Sequence, residues 1–260
     1  MGSSQIQGDL WGTRAREWAD LQEGSFRQLY EAAFSAAHVG KGTSLLDIGC
    51  GAGLALVIAQ ARGTEVSGLD AAAELAGLAK SCCPGADIRV REIEELPFDD
   101  SKFDVTTGFN SFQYATDPVH ALAEAKRVTK ANGYVLIAVW GAAEKCELAP
   151  YVAALGKLLP PPPPGAPGPF ALSAPGALET LVSKAGLRPE ASSTVVTTMP
   201  FSDEATAVRG LLASGVAERA IRNSGETAVR QGLTAAIQPF RKGDGSYKFR
   251  NEWRFLVARV

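Results

Sequence analysis

Residues 45–53 read LLDIGCGAG, which sets Gly49, Gly51 and Gly53 at alternate positions behind an acid, Asp47. Glycines so spaced let a backbone turn sharply and approach a ligand closely. Amides left free at the start of a following helix favour an anionic group. A second acid, Asp70, ends the apolar run VSGLD. A carboxylate there can accept from both hydroxyls of a ribose, or it can cap the helix AAAELAG behind it; the two uses compete for the same oxygens. A third acid, Glu92, precedes Ile93 in REIEELPFDDSKFD. An acid beside an apolar side chain suits a purine, one for its amino group and one for its face. Alternatively Glu92, Glu94 and Glu95 form a solvated acidic turn. Further on, in GFNSFQYATDP, Gln113 and Tyr114 could orient a hydroxyl or carbonyl, or Phe112 and Tyr114 could pack as apolar bodies.

The glycine spacing excludes one class of ligand. A dinucleotide turn reads G-x-G-x-x-G, with the third glycine for helix packing. That place is Leu54 counted from Gly49, or Leu56 counted from Gly51. The chain also lacks a Tyr-x-x-x-Lys pair, so a nicotinamide-dependent oxidoreductase is disfavoured.

These residues need elements to position them. TSLLDIG, TEVSGLD, ADIRVREI, FDVTTGFN and GYVLIAVWG read as short buried strands between residues 43 and 141. GLALVIAQARG, ending at Gly63, AAAELAGLAKSC and PVHALAEAKRVTK read as the helices between them, the last opened by Asp-Pro. Alternation of this kind predicts a parallel sheet with helices on both faces, and ligands bind such sheets at the carboxyl ends of the strands. Residues 14–38 form an expected N-terminal helix. After Gly141 the rhythm breaks, and five prolines, Pro160–Pro164, predict polyproline II or irregular structure. A helix over APGALETLVSKAGL, a strand over PEASSTVVTTMPF, two or three helices in residues 203–240 and a last strand KFRNEWRFLVARV follow, making seven strands in all.

Taken together, these motifs resemble the class I S-adenosylmethionine-dependent methyltransferases, in the large group that includes the ubiquinone and menaquinone biosynthesis methyltransferases. The resemblance rests on LLDIGCGAG, VSGLD, IEELPFDDSKFDV and KANGYVLIAVW, and covers residues 40–141, the stretch 174–198 and the last strand. It implies an α/β fold: a Rossmann-like, doubly wound, mainly parallel seven-stranded sheet with helical lid insertions. It implies a single domain over 1–260, with a lid over 1–40, a cofactor core over 41–141 and substrate-cap insertions at 142–172 and 199–248. It also implies roles for residues. The turn Gly49–Cys50–Gly51 and Gly53 would face the methionine part of S-adenosylmethionine, with Asp47 orienting its ammonium directly or through water. Asp70 would take the ribose hydroxyls, with Ala71 beside the adenine. Glu92 and Ile93 would take the adenine edge and face, where the group often has Asp followed by Ala. Asn110, or the Phe109 carbonyl, would close near the sulfonium, and Tyr114 and Gln113 would point at the acceptor.

The expected activity is methyl transfer to O, N or C of a hydrophobic or aromatic small molecule, with S-adenosylhomocysteine as product and no metal. The alternative is a protein on the same scaffold that binds the cofactor without transferring a methyl group. Methylases of exocyclic amines in nucleic acids and of glutamine side chains carry Asn/Asp-Pro-Pro-Tyr where this chain has NSFQ. With a net charge of -2 and no basic stripe, nucleic acid is not an expected partner. FRKGDGSYKFR, locally basic, reads as a solvated hairpin loop. Trp11, Trp18, Tyr30, Trp140, Phe170, Met199, Phe201, Phe240 and Tyr247 are candidate walls of an acceptor pocket or plain core. Among the two histidines, His120 is expected at the surface and His38 at a helix end. The four cysteines contain no C-x-x-C pair, which disfavours a zinc site; free thiols fit a cytoplasmic setting. No apolar run is long enough to span a bilayer, the first residues do not read as a secretory signal, and a homodimer is compatible with the sequence.

Overall fold

The computed structural model describes residues 3–161 and 169–260, so part of the proline run lies outside the described residues. The N-terminal stretch divides into α1 (Ser4–Gly12), α2 (Ala15–Leu21) and α3 (Arg27–Ala36), with a 3-10 turn over Glu23–Phe26, rather than one helix over 14–38. The division has a physical cause. Gln22 and Glu23 turn inward: the Gln22 amide donates to the Gly210 carbonyl at 2.6 Å, and Glu23 accepts from the Ala52 amide at 2.9 Å. Two polar side chains committed to buried backbone partners redirect the chain there.

The alternating core follows as β1 (Ser44–Ile48), α4 (Leu54–Ala61), β2 (Glu65–Asp70), α5 (Ala73–Cys82), β3 (Asp87–Val90), β4 (Phe103–Phe109), α6 (Pro118–Val128) and β5 (Thr129–Trp140). The Asp117 carboxylate caps α6, accepting from the Val119 and His120 amides at 3.0 and 3.1 Å. That helix stops short of the expected Lys130. Thr129 leaves it, donating to the Ala125 carbonyl at 2.6 Å and meeting the Thr106 hydroxyl at 2.9 Å. A β-branched residue with such a back-bond suits a strand start better than a helix end. Beyond the core come α7 (Ala149–Gly156), α8 (Ala177–Lys184), β6 (Arg188–Phe201), α9 (Glu204–Leu212), α10 (Gly215–Ser224), α11 (Glu226–Ile237) and β7 (Tyr247–Arg259). The sequence pattern had left α1 and α7 without an element.

The sheet order is β3-β2-β1-β4-β5-β7-β6. Strands β1 to β5 pair in parallel, and β7 runs antiparallel between β5 and β6. This is a Rossmann-like, mainly parallel seven-stranded sheet. Side chains alternate across it: Leu45, Leu136, Trp253 and Val257 join the cluster under α3 and α4, while Leu46, Ile137 and Leu256 join the cluster under α6 and α8. The order reverses between β1 and β4, and that switch point opens a crevice at the carboxyl ends of the strands. Over it lie α1, packed on α5 and α10, and α2, packed on α5 and α9, with α7 behind α10 and α11. No described helix is long and apolar enough to cross a membrane.

Candidate functional site

The turn after β1 is built around its own amides. Gly49 and Cys50 both donate to the Leu69 carbonyl, at 2.7 and 2.9 Å. Gly51 donates to Asp70 Oδ2 at 2.9 Å, and Gly53 to the Cys50 carbonyl at 3.0 Å. Ala52 donates to Glu23 Oε1 at 2.9 Å. Every amide from 49 to 53 therefore has a partner within the chain. The Glu23 carboxyl group, supplied by the chain itself, already stands at the start of α4, where a phosphate would otherwise sit.

The three glycines differ in use. Gly51 has φ +57°, and a Cβ on it would lie 2.8 Å from Glu23 Oε1, so only glycine allows the approach. Gly53, at φ +97°, would drive a Cβ to within 2.9 Å of Ala79 Cα, which makes it the packing glycine between α4 and α5. Gly49 is covered by Ser111, whose Cβ would stand 2.5 Å from a Cβ there. The packing role sought at Leu54 or Leu56 thus falls to Gly53.

Asp70 uses both oxygens: Oδ1 accepts from Ala72 at 2.8 Å and Oδ2 from Gly51. It therefore ties two loops together, and Ala72 rather than Asp70 precedes the first residue of α5. Glu92 Oε1 accepts from Ile93 at 2.8 Å, and Oε2 from the Ser4 amide of α1 at 2.7 Å. Asn110 sits at φ +57°, strained for a residue with a side chain. Its carboxamide oxygen accepts from the Gln113 amide.

These parts surround one cavity at the carboxyl ends of the strands. Gly49, Gly51, Asp70, Ala71, Glu92, Ile93, Phe109, Asn110 and Tyr114 line it. Asp47, Cys50, Gly53 and Gln113 do not. Asp47 is buried beneath the turn, accepting from the Thr107 hydroxyl at 2.6 Å. Cys50 points its thiol at Gly68, where a Cβ would lie 3.0 Å from the sulfur. Gln113 stands behind Asn110. The other wall is aromatic. Tyr114 meets Trp11 edge-on at 5.7 Å, Trp11 meets Trp18 at 5.1 Å, and Trp18 stacks on Phe26 at 5.7 Å. Phe26 touches Tyr30 and Trp253, and Tyr30 meets Phe109 at 4.6 Å.

Of the proposed walls, Trp11, Trp18 and Tyr30 line the cavity. Trp140, Phe170, Met199, Phe201, Phe240 and Tyr247 do not; Met199, Phe201 and Tyr247 are buried in the main core, against which Trp140 and Phe240 pack. No described residue of 142–172 or 199–248 lines the cavity. Their helices α9 and α10 pack behind α2 and α1, with α7 behind α10 and α11. His38 and His120 are both exposed, and His38, at φ +54°, follows the end of α3.

Burial dominates the electrostatics. It pushes Glu23 up to about 7, against the pull of the Ala52 amide, with the charge of Asp47 adding to the rise. It pushes Asp47 up to about 7, against the Thr107 hydrogen bond, and the charge of Asp70 raises it further. Asp70 stands at about 6 for the same first reason. Three carboxylates around one turn, raised by burial and in part by one another, are relieved by a cation. Glu23 was missed in the sequence because Gln22-Glu23 reads as an ordinary solvated helix face. Ser111, Phe26, Leu29 and Trp253 also line or close the site without a local signal.

The methyltransferase domain family matches residues 46–137. A malonyl-[acyl-carrier protein] O-methyltransferase of Erwinia billingiae is 33% identical over 135 residues, which cover 52% of this chain and 54% of that protein. A ubiquinone biosynthesis O-methyltransferase of Methylococcus capsulatus is 27% identical over 157 residues, 56% of this chain and 66% of that protein. The chain thus spans between about half and two thirds of the length of these curated relatives. Among solved structures, the YcgJ protein of Bacillus subtilis shares the fold with a TM-score of 0.59 at 19% identity, covering 90% of this chain and 98% of that one. The [4+2]-cyclase SpnF does so at 0.57 and 19%, covering 89% and 79%.

Sheet order, switch-point cavity and acid-lined turn define an α/β nucleoside-binding core. Over residues 46–137 that core matches the methyltransferase domain family, and it resembles the class I S-adenosylmethionine-dependent methyltransferases of ubiquinone biosynthesis. Its residues fit a cationic sulfonium nucleoside. The turn's own amides are engaged within the chain, and buried carboxylates surround it. Among the described residues no group of three or more His, Cys, Asp or Glu could hold a metal ion.

Proposed function

We propose that the protein moves a methyl group from S-adenosylmethionine to O, N or C of an apolar or aromatic small molecule, by direct in-line displacement, with S-adenosylhomocysteine as product. One observation carries the reading. A single cavity joins an acidic wall at the ends of β1 to β3 to a continuous wall of aromatic rings. When bound, the sulfonium supplies an already activated methyl group, so the protein's work is alignment and exclusion of water.

Asp70 accepts from the ribose hydroxyls while holding Gly51 and Ala72, and Ala71 lies beside the adenine. Glu92 and Ile93 take the adenine edge and face. Asp47, buried under the turn, acts on the ammonium through an intervening group rather than by contact. Cys50 and Gly53 shape the turn without touching the ligand. Phe109 and Asn110 close the donor side, and Gln113 holds Asn110 in its strained backbone. Tyr114 faces the acceptor. Burial pushes its phenol up to about 12, so it is protonated at neutral pH and donates rather than abstracts.

The N-terminal helices α1 to α3 form the lid, and α7, α9, α10 and α11 brace it from behind. No basic side chain is among the described residues lining the cavity, so an acceptor carboxylate or phosphate would find no countercharge there. An uncharged acceptor, free in the cytoplasm, fits this lining.

Calorimetric titration with S-adenosylmethionine and with NADH tests the cofactor. A tritiated methyl-transfer screen against phenols, amines and polyketide-like acids tests the reaction. Cofactor binding with transfer to phenols or amines is expected. Tight binding with no transfer to any acceptor would replace this reading by the non-methylating one.

A further inference from the structure

Five side-chain atoms are buried without a hydrogen-bond partner among the described residues: Arg14 Nε, Trp18 Nε1, Ser111 Oγ, Gln113 Oε1 and Glu179 Oε2. Three of them, on Trp18, Ser111 and Gln113, gather around the glycine turn and the end of β4. An unsatisfied buried polar atom is costly, and a cluster of them at a cavity marks where a ligand completes the bonding.

The amino-acid end of the donor has to be held near this turn. Its carboxylate needs donors, and the turn has none to give, because every amide from 49 to 53 is already engaged. Trp18 supplies the missing donor. It lines the cavity, and its Nε1 lies 3.4 Å from the position a Cβ would take on Gly51. Its ring is fixed by stacking on Phe26 and by the edge contact with Trp11, so the N–H has a set direction. Ser111 lies on the other side of the turn, against Gly49.

We propose that Trp18 is a cofactor-binding residue whose indole N–H donates to the carboxylate of the donor's amino-acid end, with the Ser111 hydroxyl completing that pocket. The lid thereby reads the amino acid, while the core reads the nucleoside. This rests on the assignment of the cavity to S-adenosylmethionine.

The test compares ligands that differ only at that end. S-adenosylhomocysteine, its decarboxylated analogue and 5′-methylthioadenosine are titrated by calorimetry into the wild type, Trp18→Phe and Ser111→Ala. Trp18→Phe keeps the aromatic body and removes the N–H. It should weaken S-adenosylhomocysteine about tenfold, the size of one hydrogen bond to a charged group, and leave methylthioadenosine within about twofold. The wild type should lose at least as much when the carboxylate is absent, and Trp18→Phe should lose much less. If Trp18→Phe does not fold, the wild type's preference for the carboxylate ligand over its decarboxylated analogue still decides. Equal affinity for those two ligands, or equal losses for all three ligands in Trp18→Phe, overturns the proposal while leaving the cofactor assignment intact. No binding of any of the three by the wild type overturns both.

Discussion

The acidic wall of the cavity and its aromatic wall are assembled differently. Asp47, the glycine turn, Asp70 and Glu92 come from strand ends of a parallel sheet and are fixed by hydrogen bonds, mostly to neighbouring backbone or the adjacent strand, with Glu23 and the Ser4 amide reaching in from the N-terminal segment. The aromatic wall gathers Trp11, Trp18, Phe26 and Tyr30 from the N-terminal segment, Phe109 and Tyr114 from the end of β4, and Trp253 from the last strand. Its rings meet only when the whole sheet has formed, and they are held by packing. A ring can therefore be exchanged without disturbing a hydrogen bond at the turn. Changes to the acidic wall should alter donor binding, and changes to the aromatic wall, Trp18 apart, should alter what is methylated.

The largest expected effect is on the acidic side. Asp70→Ala removes the acceptor for the Gly51 and Ala72 amides as well as the proposed ribose contact. Affinity for S-adenosylhomocysteine should fall by about 2–4 kcal/mol, the size of one or two hydrogen bonds to a charged acceptor. Thermal stability should fall too, since two buried amides lose their partner. Calorimetry and a melting curve separate the two losses. A drop in stability with unchanged affinity would reduce Asp70 to a tie between loops and break the division between the walls.

A smaller effect follows from the raised carboxylates. Glu23, at about 7 in the folded protein, keeps a proton there that an unfolded chain would release near its ordinary value of 4.5. Its contribution to stability is full below about 4.5 and is lost as the pH rises through about 7. Asp47 and Asp70, raised to about 7 and about 6, act in the same direction. Without ligand, the melting temperature should fall from about pH 5 to about pH 8. Glu23→Gln should flatten part of that fall, since a neutral amide feels no such penalty. Affinity for the cationic donor should rise over the same interval, as ionised carboxylates attract it. A melting temperature that climbs with pH would mean that these acids are paired in a way the cavity does not provide.

The sequence read the two walls unequally, for the same reason that they are built differently. Asp70 and Glu92 were legible because a parallel sheet brings strand ends together, so an acid at the end of an apolar run has a known address. Gly49 and Gly51 were legible from their spacing, and they line the cavity; Gly53 is spaced like them and instead packs on Ala79. Spacing reports that a backbone must turn, and not what each glycine lies against. Glu23 was illegible because nothing in a helical pattern tells an outward acid from one that leaves the helix to cap another 29 residues away. Trp253 was read as one residue of the final strand. Its place in the cavity depends on β7 inserting antiparallel between β5 and β6, a pairing that no local pattern announces. The tempting walls Met199, Phe201 and Tyr247 failed because the far ends of β6 and β7 turn them into the main core beside α9 and α11.

The smallest expected effect lies in the aromatic wall, and it bears on whether that wall has a polar duty. Tyr114 meets Trp11 edge-on through its ring, and that contact survives replacement by phenylalanine. Only the hydroxyl is lost. If the phenol orients the acceptor, Tyr114→Phe should lower turnover about three- to tenfold, in line with one neutral hydrogen bond of about 1 kcal/mol. Affinity for S-adenosylhomocysteine should change little, because Asn110 loses the phenol but keeps its bond from Gln113. The rate should also stay flat with pH near neutrality in both proteins as far as this residue is concerned, since burial holds the phenol protonated at about 12. Unchanged turnover would make Tyr114 a packing ring like its neighbours. The aromatic wall would then choose its acceptor by shape alone.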